Sequence, residues 1–232
     1  MRRAEGTGPH RRDRGIRGPD GGRDSQRWSG YAGAGAPRLS RQSLVLASSS
    51  IRRRQLLEML GIPFLVSSPE VPELRLPREA PAAYARRLAR DKARAVPGEW
   101  VLGADTIVVL GDEVLEKPAD PADALRMLSR LQGTRHDVLT AICLIANGVE
   151  YEAADTTAVY FRPADDDLLR AYVATGEPLD KAGAYGIQGY GAALVERVEG
   201  DFFSVMGLPV RLVLELLERA GWDYRFGQPD GR

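Results

Sequence analysis

The chain has 232 residues, 44% of them apolar and 28% charged, which is enough for a substantial core and ordinary for a globular protein. No apolar run is long enough to span a bilayer, and the arginine-rich N-terminus lacks the apolar segment of a secretory signal. Cys143 is the only cysteine, so an intramolecular disulfide and a cysteine-held metal cluster are both excluded, and the cytoplasm is the expected location.

A net charge of zero hides an asymmetry. Residues 1–42 carry ten Arg against four acids, with many glycines and almost no aliphatic side chains. Such a segment buries too little surface to order itself and is expected to be a disordered extension. Residues 43–222 are expected to form one domain, and residues 223–232 a loose tail. Lysine usage is the more telling count: of 32 basic residues only Lys92, Lys117 and Lys181 are Lys. A lysine kept against so strong an arginine bias suggests a need for a compact point charge, as on phosphate.

Taken in order, residues 43–47 form a short apolar strand. Ser48, Ser49 and Ser50 follow, and then a helix over 51–60 with Leu56, Leu57 and Leu60 inward and Gly61 as its stop. A strand, a small polar loop and a helix N-terminus present free N–H groups suited to an anion. Arg52, Arg53 and Arg54 lie in the first turn, where the helix dipole disfavours cations, so an external anion explains them. Helix-capping serines with solvated arginines are the plainer alternative. A second strand covers 62–67, and a loop holds Glu70 and Glu73. In a helix over 79–95, Tyr84, Leu88 and Lys92 fall on one face.

Residues 102–118, LGADTIVVLGDEVLEKP, read as a hairpin turned at Gly111-Asp112. Asp105 interrupts its first apolar run. A buried sheet does not tolerate such an acid unless it is paired or binds something. Asp120 and Pro121 start a helix ending near Gly133. A long hairpin follows over 136–161 around Asn147-Gly148, and then a helix over 165–174. Residues 177–191 have no periodicity and four glycines, which marks either a linker or a binding loop. Strands are expected at 192–198 and 202–205, and a last helix after Gly207-Leu208-Pro209. The alternation predicts an α/β fold with a mixed sheet.

Two carboxylates with several cations on loops and strand ends suit phosphate chemistry: cations clamp phosphate oxygens, while carboxylates hold a divalent metal or orient water. Neither histidine suggests a zinc site, and no Walker A or dinucleotide-binding glycine motif is present. A basic arm leaves a non-catalytic nucleotide- or nucleic-acid-binding regulator as the alternative, although the acidic body and the scarcity of interleaved aromatics make nucleic acid a poor fit.

The motifs LASSSIRRRQLLEMLG (46–61), LARDKARA (88–95), LGADTIV (102–108), EVLEKP (113–118), DKAGAYGIQG (180–189) and VMGLP (205–209), with the acidic loop at Glu73, resemble the Maf family of nucleotide pyrophosphatases across residues 43–220. The resemblance implies an elongated mixed sheet flanked by helices, with a nucleotide cleft between two lobes. It also implies hydrolysis of a nucleoside triphosphate to the monophosphate and pyrophosphate with a divalent cation, Mg²⁺ or Mn²⁺. The form of the 180–189 motif resembles the branch acting on dTTP and UTP. Asp105 is then expected as the general base or as the metal-held carboxylate that positions water, with Glu73 as the second metal ligand. Arg53, Lys92 and Lys117 are expected on the triphosphate, with Ser48 and Ser50 beside it. Arg52, Thr106 and Gln188 are expected to set base preference, and Asp180 and Lys181 to shape the loop over the nucleotide. The family allows a homodimer, though no segment here shows one. Ser49 and Ile51 replace a Gly and a Pro common in the family, without removing a functional group.

Overall fold

The computed structural model describes residues 43–226. The expectations for residues 1–42 and 227–232 lie outside the described residues.

Seven strands form one sheet in the order β2-β1-β3-β5-β6-β7, with the short β4 also paired to β3. Strand β1 (Leu44–Ala47) is parallel to β2 (Phe64–Ser67) and to β3 (Trp100–Leu110). The strands β4 (Glu113–Leu115), β5 (Arg135–Ala146), β6 (Val149–Phe161) and β7 (Val195–Glu199) pair antiparallel. Helices flank the sheet: α1 (Ile51–Met59), α2 (Pro81–Arg94), α3 (Pro121–Leu131), α4 (Asp166–Ala174), α5 (Phe202–Met206) and α6 (Val210–Arg219). The expected α/β fold with a mixed sheet is present.

Strands β3 and β5 are buried on both faces over most of their length. One face of β3 presents Leu102, Ala104 and Val108 to a core that includes α1, α3 and α6. The other presents Val101, Ile107 and Val109 to α2, whose Tyr84, Ala85, Leu88, Ala89 and Ala93 form the opposing stripe. Alternation along the strand therefore sends Asp105 to the α2 face and Thr106 to the other. The hairpin between β5 and β6 turns at Asn147 (φ 50°) and Gly148 (φ 80°), the two left-handed residues that a tight primed turn needs.

Pairing along β3 has a gap. Strand β1 covers one edge only from Trp100 to Gly103, and β4 covers the same edge only from Val108 to Leu110. Between them, residues 104–107 have no partner strand on that side among the described residues, while β5 runs unbroken along the other. Gly103, at the start of the gap, has α2 directly over it: a Cβ there would come within 2.2 Å of the Ala89 carbonyl oxygen.

Two segments differ from the sequence expectation. Residues 202–205 are helical, in α5, and not a strand. The Asp201 carboxylate accepts from the Phe203 and Ser204 N–H groups and nucleates a turn, and Gly207 (φ 112°) closes it. The segment 192–198 begins as a 3₁₀ turn (Tyr190–Leu194), so its strand starts only at Val195. The C-terminal segment is held as far as Tyr224. Trp222 stacks edge-on against Trp100 at 5.2 Å, and the Tyr224 hydroxyl donates to the Leu60 carbonyl at 2.8 Å.

His136 sits at the start of β5 in an aromatic cluster. Its ring meets Phe161 and Tyr185 edge-on, and its Nε2 lies 2.8 Å from the Tyr185 hydroxyl. Burial, with a smaller contribution from Arg135, holds its pKa down to about 4.

The Gly103 packing predicts that Gly103→Ala, which must push α2 off the sheet, costs about 1–3 kcal/mol in denaturant unfolding. His136 predicts a pH dependence. Its folded pKa is depressed, so its contribution to stability is fully present above the unfolded value near 6.5 and is lost as pH falls toward about 4. At roughly 1.4 kcal/mol per unit the loss is on the order of 3 kcal/mol. Melting temperatures measured from pH 7 to 4 should fall more steeply for the wild type than for His136→Phe.

Candidate active site

The gap in β3 opens into a cavity of about 600 Å³, within the usual range for small-molecule sites. The Ser48–Ser50 turn after β1 forms one side and the loop from Asp180 to Ile187 another, with residues 205–207 closing the end. Asp105 and Thr106 both reach this space from opposite faces of β3 because no strand covers the edge between them. All three lysines of the chain line it.

Asp105 is buried, with 8% of its side chain exposed, and its Oδ1 accepts from Lys92 Nζ at 2.7 Å. The same ammonium donates to Glu73 Oε1 at 2.6 Å. Lys92 thus bridges the two carboxylates, reached from α2 by continuing the Tyr84–Leu88 stripe. Lys117, just past β4, donates to Glu73 Oε2 at 3.2 Å and is otherwise open to solvent. Burial pushes the Glu73 carboxyl up, but the hydrogen bond and charge of Lys92, with Lys117 behind it, outweigh burial and leave it below the ordinary range.

Arg53 is buried with its guanidinium committed to the protein. Its Nε donates to the Gly207 carbonyl at 2.8 Å, one terminal nitrogen to Ser48 Oγ at 2.9 Å and the other to Thr106 Oγ1 at 3.1 Å. It ties the α1 N-terminus, the α5–α6 junction and β3 together around the cavity. Ser50 caps α1 by accepting the Arg53 N–H. Arg52 lines the cavity and, among the described residues, makes no hydrogen bond or ion pair.

Residues 177–191 form a wall of three short 3₁₀ turns. Glu177 holds it together: Oε1 accepts from the Tyr172 hydroxyl and the Gly191 N–H, and Oε2 from the Tyr190 N–H. Lys181 Nζ donates to the Glu177 carbonyl and to Asp180 Oδ1, both at 2.6 Å.

Of the residues singled out from sequence, the structure gathers Arg52, Arg53, Ser48, Ser50, Glu73, Lys92, Asp105, Thr106, Lys117, Asp180 and Lys181 around the cavity. Gln188 is not among them. It is exposed at the tip of a turn closed by the Gly189 N–H on the Gly186 carbonyl, one residue beyond the lining Ile187. Glu116, Tyr185 and the stapling Glu177 were not singled out. Glu116 lines the cavity with its carboxyl raised, chiefly by desolvation and further by the charges of Asp105 and Glu73. Its place beside Lys117 at the strand end was the available signal.

No group of three or more His, Cys, Asp or Glu suited to a metal exists among the described residues. Asp105 and Glu73 each give one oxygen to Lys92, and the second Asp105 oxygen takes no donor among the described residues. Two carboxylates with substrate oxygens and water to complete the shell fit Mg²⁺ or Mn²⁺.

Residues 43–220 match the family model described as Maf-like protein. The chain is 53% identical over 190 residues to the dTTP/UTP pyrophosphatase of Anaeromyxobacter dehalogenans (strain 2CP-1), covering 80% of this chain and 98% of that protein. It is 50% identical over 185 residues to a protein of the same name from Symbiobacterium thermophilum, covering 78% and 95%. With that of Geobacter sulfurreducens it shares 48% identity over 185 residues, covering 77% and 96%. With its strand gap, bridged carboxylates and lysine-lined cavity in the matched region, the chain belongs to the Maf-like protein family.

Proposed function

We propose that this chain is a dTTP/UTP pyrophosphatase, which uses water to split a pyrimidine nucleoside triphosphate into the monophosphate and pyrophosphate. The observation that carries the reading is the convergence of all three lysines on one cavity in a chain that otherwise uses arginine. The relatives' shared name supplies the substrate.

Five cations against four carboxylates line the cavity, so its own charge only partly offsets a polyphosphate chain. A divalent cation held by Asp105 and Glu73 would supply the missing positive charge and polarise phosphate oxygens. Lys92 holds Asp105 and Glu73 in place and favours the ionised form of Glu73. In the reaction a water oxygen bonds to phosphorus as the bond to the pyrophosphate oxygen breaks. Asp105 orients that water and receives its proton. Lys117 and Lys181 neutralise phosphate oxygens, and Lys117 can leave Glu73 for substrate because its side chain is open to solvent. Arg53 acts differently from a simple phosphate clamp: its fork holds Ser48 and Thr106, and Arg52 is the guanidinium left for ligand. Thr106 on β3 and Arg52 at the cavity wall read the base. The lone cysteine, buried and with its thiol pushed up to about 12 mainly by desolvation, fits a cytoplasmic protein. No helix among the described residues is long and apolar enough to cross a membrane.

The test is a screen of canonical and modified triphosphates with Mg²⁺ and Mn²⁺, reading pyrophosphate. dTTP and UTP are expected to lead. Asp105→Asn should lower kcat by about 10²–10⁴-fold while nucleotide binding and a cooperative folded state persist. Undiminished turnover would remove Asp105 from its role. Binding without pyrophosphate release under every metal would favour the non-catalytic regulator.

A further inference from the structure

We propose that Thr140, a fully buried residue on β5, is a positioning residue that sets base preference by fixing the direction of the Thr106 hydroxyl. The inference rests on the pyrimidine reading above and deepens it.

A hydroxyl has one proton to give and two lone pairs to offer. Thr140 sits directly opposite Thr106 in the β3–β5 register. Its Oγ1 lies 2.8 Å from the Ser204 carbonyl oxygen, which can only accept, so the Thr140 proton is committed there. Thr140 and Thr106 hydroxyls lie 2.9 Å apart. With no proton left on Thr140, Thr106 must be the donor of that bond. Arg53 in turn donates to Thr106 Oγ1 at 3.1 Å and occupies one of its lone pairs. What remains of Thr106 for a ligand is a single lone pair. It can accept and cannot donate.

Ser48 is set the opposite way. It accepts from the Ser50 N–H at 3.2 Å and from Arg53 at 2.9 Å, which fills both lone pairs. Its proton is free, so toward a ligand it only donates. One buried guanidinium donates to both cavity hydroxyls, and their other partners set opposite senses: the Ser50 N–H leaves Ser48 a donor, and Thr140 with the Ser204 carbonyl leaves Thr106 an acceptor.

The polarity matters for a pyrimidine. Uracil and thymine carry a proton on N3, between two carbonyls. Cytosine presents a bare N3 lone pair in the same place. A Thr106 that can only accept takes the N3–H of uracil or thymine and sets lone pair against lone pair with cytosine. A hydroxyl free to rotate would serve both bases and lose the distinction.

The experiment compares kcat/KM for UTP and CTP, by pyrophosphate release, in the full-length wild type, Thr140→Val and Thr140→Ser. Both substrates are assayed on each preparation, so any loss of folded protein cancels in the ratio. Valine keeps the shape but frees the Thr106 proton, and the UTP:CTP preference should fall by about tenfold or more. Serine keeps the hydroxyl, and the preference should stay within about twofold of wild type. A purely structural Thr140 would lower both substrates together and leave the ratio alone. An unchanged ratio in Thr140→Val, or a collapse in Thr140→Ser equal to that in valine, overturns the inference while leaving the pyrophosphatase reading intact. A wild type that releases no pyrophosphate from UTP, or favours CTP, overturns the dTTP/UTP reading and this inference with it.

Discussion

The site depends on a missing strand. Along one edge of β3, β1 stops at Gly103 and β4 begins at Val108. In a fully paired sheet neighbouring residues face opposite layers and cannot address one ligand. Here the uncovered edge lets both layers open on the same space, so Asp105 from the α2 face and Thr106 from the other share one cavity. The unbroken pairing with β5 on the opposite edge keeps the exposed stretch straight and fixed. The Ser48–Ser50 turn fills the space beyond β1, which places it against the ligand as a direct result of where β1 ends.

The gap would be unstable without its charges in balance. A carboxylate as buried as Asp105 must be paired, and a buried ammonium likewise. Lys92 answers both needs by bridging Asp105 and Glu73. Its stem can reach because α2 lies close over Gly103, where no side chain intervenes. A single glycine on β3 and a single lysine on α2 are thus two parts of one solution. Arginine could not replace this lysine easily: its planar fork suits parallel acceptors, whereas a point charge can sit between two carboxylates from different elements. Arg53 shows the complementary use, with its three nitrogens spread over three separate oxygens of the surrounding loop, strand and helix junction.

Much of this was legible in the sequence because it is local. The Asn147-Gly148 turn, the Asp120 cap, the Tyr84–Leu88–Lys92 stripe and the awkward Asp105 all announce themselves within a few residues. Segment 202–205 misled because its apolar run fits either period, and the decisive bonds come from Asp201 just before it. Gln188 carried a motif but no constraint on direction, and a four-residue turn points it outward. Thr140 gave no signal at all. Its meaning lies in bonds to Thr106, 34 residues away, and to Ser204, 64 residues away, and Arg53 reaches Gly207 across 154 positions. Hydrogen-bond polarity is a property of closed networks, and a linear pattern does not contain it.

The glycine-rich loop sharpens the same point. Four glycines in fifteen residues suggest slack, but a Cβ on any of the four would come within 2.8 Å of a neighbouring group. A Cβ on Gly189 would lie 2.2 Å from the Glu177 carboxylate, and one on Gly186 would lie 2.8 Å from the Lys181 stem. The glycines let the backbone close around Glu177, whose two oxygens then accept from Tyr172, Tyr190 and Gly191. With that knot drawn tight, the Glu177 carbonyl and Asp180 hold Lys181 at the cavity wall. A segment without periodicity is therefore built as firmly as the strands, by a carboxylate that acts as its core.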